Sequence, residues 1–96
     1  MHHIASDSVD RLFDVILNLE DREDCYRFFS DICTVKELLD MAQRLDVAVK
    51  LKQGANYQTI AQQVGVSTAT ISRVSKCLNY GAGGYRDALE KLEDSK

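Results

Sequence analysis

An all-α fold is the class this sequence predicts, and three observations carry the prediction. The 96 residues contain no proline, the residue that most often stops a helix. Apolar residues recur at three- and four-residue steps in six separate segments. No stretch carries the sustained apolar–polar alternation of a half-buried strand. The length suits a single domain over residues 1–96. A chain this short buries a limited share of its surface alone, so pairing of two copies is a common way to complete its core.

The first segment runs from Ser8 to about Glu20, with Val9, Leu12, Phe13, Ile16 and Leu19 at helical spacing. The run Glu20, Asp21, Arg22, Glu23, Asp24 marks a corner or the opening turn of a second helix, where carboxylates suit the positive end of the helix dipole. That helix continues to about Ile32 and carries Cys25, Phe28, Phe29 and Ile32 on one stripe. Thr34-Val35-Lys36-Glu37 has the pattern of a capping box and opens a third helix to about Gln53, closed by Gly54. Leu38, Leu39, Met41, Ala42, Leu45, Val47, Ala48, Val49 and Leu51 cover more than one face of it. A helix so apolar is expected to be enclosed on several sides, and the simplest second wall is another subunit. Residues 1–53 therefore predict the helices of an intertwined dimer.

Asn56 caps a short helix from about Tyr57 to Val64, and a turn at Gly65-Val66-Ser67 leads to a helix from Thr68 to about Leu78. Asn79 to Gly84 is the loosest stretch and predicts a connector. The last helix begins at Tyr85 and ends near residue 93, with Tyr85, Ala88, Leu89 and Leu92 on one side.

Residues 56–78 hold the pattern that points to function. Two helices joined by a tight turn need a small residue where they touch, a residue tolerant of the left-handed conformation in the turn, and apolar inner faces. Ala61, Gly65 and Ile71 meet the first requirements, and Ile60, Val64, Val66 and Val74 fill the remaining inward positions. This is a helix-turn-helix, with Ser67 as cap of the second helix. The outward set there, Thr68, Ala69, Thr70, Ser72, Arg73, Ser75 and Lys76, is short, polar and partly basic, which suits entry into a DNA major groove. From the first motif helix, Gln58, Thr59 and Gln62 would approach the phosphate backbone.

Charge is distributed to match. The chain is acidic overall, at −3, yet Val47 to Arg86 contains no Asp or Glu and carries Lys50, Lys52, Arg73, Lys76 and Arg86. The seven other basic residues share the rest of the chain with all fifteen acidic ones. An acidic protein can in this way present one face that phosphates do not repel. Other functions find less support. Cys25, Cys33 and Cys77 lack the spacing of a zinc site or a disulfide framework and are expected as buried free thiols. His2 and His3 suit a loose terminus better than a metal clip, and no other histidine stands ready to activate a nucleophile, so neither catalysis nor a metal is expected. With no apolar run of membrane-spanning length and no leader pattern, a cytoplasmic protein without membrane contact is expected.

The stretch from Thr34 to Leu92 resembles the tryptophan repressor superfamily in three places. These are the helix TVKELLDMAQRLDVAVKLKQG, the motif ending ATISRVS, and the short final amphipathic helix. With TATISRVSKCLNYGAGGY it is most similar to the YerC/YecD-type branch of repressor-related proteins. The resemblance implies an intertwined, all-helical homodimer that represses transcription with two recognition helices in successive major grooves of double-stranded DNA. It implies base-facing roles for Ala69, Thr70 and Ser72 and a backbone contact for Gln58. Arg44 and Arg73 fall where that family brackets its corepressor, although Arg44 also suits a surface ion pair with Asp40, and Arg73 a phosphate contact. Val74 stands where the family has a glycine, which argues against tryptophan itself; no cofactor is expected, and any effector would be a different small molecule. Thr59 and Gln62 replace basic residues, which lowers the electrostatic part of binding. The alternative function is a dimeric interaction module whose motif does not read DNA.

Overall fold

The computed structural model describes residues 3–95, so the reading of His2 lies outside the described residues. Six helices and no strand are present among them: α1 (Asp7–Leu17), α2 (Arg22–Ile32), α3 (Val35–Lys52), α4 (Tyr57–Val64), α5 (Thr68–Tyr80) and α6 (Gly84–Asp94). The all-α expectation holds. None of these helices is long and apolar enough to cross a membrane. The chain divides into two compact units, residues 1–36 and residues 37–96.

In the first unit, Ser6 begins α1 by accepting the Val9 N–H on its hydroxyl at 3.1 Å. The helix stops at Leu17, short of Glu20, because the amides of Asn18 and Leu19 turn back to the Val15 and Ile16 carbonyls and tighten the last turn. Asp21 and Asp24 open α2 together. Asp21 Oδ1 accepts the Asp24 N–H at 2.8 Å, and Asp24 Oδ2 accepts the Glu20 N–H at 3.1 Å. Phe28 and Phe29 meet edge to face with ring centroids 5.3 Å apart. Neither α1 nor α2 contains a buried residue.

The second unit holds the core. Val47, Ala48, Ile60, Ile71, Val74 and Leu89 are buried, with Val49, Leu51, Ala55, Ala61, Val64, Val66 and Tyr85 packed against them. α3 ends as Gly54 predicts: the Gly54 N–H reaches the Leu51 carbonyl at 3.0 Å and the Ala55 N–H the Lys50 carbonyl at 3.1 Å, the paired bonds of a Schellman motif. Lys52 near that end faces Glu93 of α6 at 3.5 Å. Only the C-terminal half of α3 contributes to the core; Leu39, Met41 and Leu45 remain exposed in the single chain. The expectation that α3 is enclosed on several sides is therefore not met within one chain.

Two further expectations need correction. Cys25 and Cys77 are exposed and Cys33 is half-buried, so the thiols are free but not core residues. α1 and α2 bury nothing that could enclose Cys25, and Cys77 borders a cavity. Asn79 and Tyr80 belong to α5, and Gly84 to α6, which leaves a connector of only Gly81, Ala82 and Gly83. α5 continues until Gly81, whose N–H closes on the Cys77 carbonyl at 2.9 Å. A Cβ at Gly81 would fall on that same carbonyl oxygen, so the close turn requires glycine.

Gly65 ends α4 in the left-handed region, at φ 81° and ψ 36°, with its N–H on the Ala61 carbonyl. A Cβ there would meet no atom, so the cost of Gly65→Ala is conformational alone. We expect a loss of about 1–2 kcal/mol in a urea titration followed by circular dichroism. Gly65→Asn should lose less, because asparagine visits this region more readily.

Candidate nucleic-acid interface

The motif helices are set by side-chain caps at both starts. Asn56 Oδ1 accepts the Thr59 N–H at 2.9 Å and begins α4, which buries Ile60. Ser67 Oγ accepts the Thr70 N–H at 3.2 Å and begins α5, which buries Ile71 and Val74. Ile60 and Ile71 are fully enclosed, so the inner faces of both helices are fixed against the core.

Burying Ile71 and Val74 turns the opposite side of α5 outward. Thr68, Ala69, Ser72, Arg73 and Lys76 are exposed, as the periodicity predicts. Thr70 and Ser75 are half-buried instead. On α4, Gln58 and Gln62 are exposed, whereas Thr59 is half-buried beside its cap. The exposed residues of both helices thus come from the single unit of residues 37–96.

An electrostatic contrast separates these two helices from the others. α1, α2, α3 and α6 each carry at least one carboxylate in the first turn, namely Asp7 and Asp10, Glu23 and Asp24, Glu37, and Asp87. α4 and α5 carry none. Their amino ends keep the positive potential of their first amides, the arrangement that favours an approaching phosphate.

A cavity of about 670 Å³ lies behind α5. Arg44 from α3 and Arg73 from α5 both line it, together with Asp40, Ser67, Thr70, Val74, Cys77 and Tyr85. Both arginines are exposed. Val74 is 3% exposed and belongs to the core cluster, so it narrows one wall but leaves the space open. Among the described residues no group of three or more His, Cys, Asp or Glu side chains is placed to hold a metal ion.

Sequence reasoning did not find the hydroxyl pair at the start of α5. Thr70 Oγ1 lies 3.1 Å from Ser67 Oγ, in addition to the amide bond between the two residues. The i, i+3 spacing of Ser67 and Thr70 immediately before a buried isoleucine is the signal that could have exposed it. The cavity left no such spacing signal, because α3 and α5 build it from positions far apart in the chain; Arg44 and Arg73, which line it, were expected at a ligand site only through the family resemblance.

Comparison with known proteins agrees with this architecture. Residues 7–93 match the sequence profile described as Trp repressor protein. YerC, an uncharacterized protein of Bacillus subtilis, is 50% identical over 88 residues, covering 92% of this chain and 85% of that protein. The solved structure of a TrpR-like protein from Eubacterium eligens has a TM-score of 0.91 and 44% identity, covering 94% of this chain and 93% of the other. A solved chain from Staphylococcus aureus has a TM-score of 0.90 and 49% identity over 94% of this chain and 90% of that one.

Proposed function

This chain belongs to the Trp repressor family, a family of DNA-binding regulators, and from that premise we propose that it is a sequence-specific transcriptional repressor. It acts in the cytoplasm as an intertwined homodimer on double-stranded DNA. The observation that carries this reading is the outward face of α5, where Thr68, Ala69, Ser72, Arg73 and Lys76 form a carboxylate-free surface on a helix locked from behind by Ile71 and Val74. Short side chains let such a helix sit deep in the groove, and the hydroxyls and the Ala69 methyl meet base edges. Arg73 and Lys76, with Gln58, Thr59 and Gln62 from α4, serve the phosphates.

The dimer reading is supported by the apolar residues the single chain leaves exposed. Leu17 is 81% exposed, Val35 77% and Leu39 58%. Residues of this size in the helices of 1–53 are suited to bury one another across a twofold axis.

Selection of duplexes from a random-sequence pool at low salt tests both parts. The expected product is a two-fold symmetric pair of half-sites whose centres lie about 34–36 Å apart. Failure to enrich any sequence overturns the repressor reading; recovery of protein partners in its place assigns the chain to an interaction module. With the selected duplex, Arg73→Ala and Lys76→Ala should each flatten the slope of log affinity against log salt by about 1.8, or about 0.9 for each protomer of the dimer.

A regulatory ligand is favoured by one further observation. Thr70 and Arg73 of α5, with its cap Ser67, line the cavity, while Thr68, Ala69 and Ser72 are exposed and do not line it. An occupant held between Arg44 and Arg73 would press directly on the helix that reads DNA. Repeating the selection with a metabolite extract checks for it, and Val74 leaves tryptophan the weaker candidate.

A further inference from the structure

The geometry at the start of α5 points to a division of labour that its outward polarity conceals: we infer that Thr70 is a positioning residue, which sets the recognition helix through Ser67 and does not itself read a base. The inference rests on the DNA-binding reading above. Three contacts converge on this one turn. Ser67 Oγ accepts the Thr70 N–H at 3.2 Å, the two side-chain hydroxyls lie 3.1 Å apart, and the Ser67 carbonyl accepts the Ile71 N–H at 3.2 Å. A hydroxyl has one proton and two lone pairs, so Ser67 Oγ can accept the Thr70 amide and still exchange a hydrogen bond with Thr70 Oγ1. The pair binds the third residue of α5 to its cap by backbone and side chain at once. Threonine suits the task because its branched Cβ restricts rotation about χ1.

Burial separates Thr70 from its neighbours. It is half-buried and lines the cavity, whereas Thr68, Ala69 and Ser72 are exposed. Its hydroxyl is held toward Ser67 while the residue lines the cavity, so rotating it about χ1 to face a base edge would break the pair that holds the helix start. Thr68, Ala69 and Ser72 are left to meet the bases, and Thr70 sets the angle at which they do so. A loosened first turn weakens every base contact in proportion, while a lost base contact changes preference at one position.

The test carries wild-type protein, Thr70→Val, Thr70→Ser and Ser67→Ala through duplex selection and through amide hydrogen exchange of the free protein. Thr70→Val keeps the shape and removes the hydroxyl, and should weaken binding roughly five-fold with an unchanged preferred sequence. Thr70→Ser restores the hydroxyl and should stay within about two-fold of wild type. The Thr70 amide should exchange several-fold faster in Ser67→Ala. A shift of base preference at one position in Thr70→Val, or unchanged binding in that variant, overturns the assignment. If wild-type protein enriches no duplex, the DNA reading falls separately, and exchange then decides the pair: faster exchange at residue 70 in both Ser67→Ala and Thr70→Val upholds it, and unaltered exchange refutes it.

Discussion

Ile71→Ala should destabilise the protein by about 2–5 kcal/mol, the range for truncating a fully buried isoleucine. Ile71 is 0% exposed and packs in a cluster of only six buried residues, so the space it vacates has few neighbours able to close it. A small domain has about 5–15 kcal/mol in total, and this one change consumes a large part of it. Urea unfolding followed by circular dichroism measures the loss; the chain has no tryptophan, so fluorescence would rest on its four tyrosines. Ile71→Val removes one methylene and should cost about 0.5–1.5 kcal/mol. A loss below that for Ile71→Ala would mean that α5 is not held from behind, and the outward face would then have no fixed geometry to present.

How much of this was legible in the sequence depended on whether local chemistry marked a boundary. α4 spans Tyr57–Val64 as read, because Asn56 and Gly65 mark its two ends with a cap and a left-handed turn. α1 overran in the reading because no glycine or proline follows Leu17, and only the tightening of the last turn stops it there. The sequence suggests an earlier end for α5 because Asn79 resembles a loop residue; the helix ends where the Gly81 backbone becomes extended, at φ −82° and ψ −160°. The outward face of α5 was legible from the positions of Ile71 and Val74, since period 3.6 fixes the opposite side once the buried one is known. The engagement of Thr70 was not, because periodicity places a residue on a face without saying what its hydroxyl meets. The uncovered apolar residues of α3 were legible as a surplus, and the single chain leaves Leu39, Met41 and Leu45 exposed in keeping with that surplus.

Ala69→Glu should abolish specific DNA binding, with a loss of at least about 100-fold, while leaving the fold intact. The size follows from placing a carboxylate where the phosphate-lined groove must close on the helix; a like charge brought into such contact costs several kcal/mol. Ala69 is exposed, so the change displaces nothing from the core. It is also the second residue of α5, a helix with no carboxylate in its first turn. A negative charge there interacts favourably with the helix dipole and should raise stability by about 0.3–1 kcal/mol. Stability and binding are thus expected to move in opposite directions, which no account based on misfolding can reproduce. Urea titration and binding to the selected duplex, measured on the same preparation, give both quantities. Ala69→Ser, by contrast, should retain affinity within about ten-fold and change base preference at the position the methyl touches, since a single methyl contact stands at the low end, about 1 kcal/mol, of what one base contact is worth. If Ala69→Glu binds as wild type does, the amino end of α5 does not enter a groove, and the surface that α4 and α5 keep free of acid must serve some partner other than DNA.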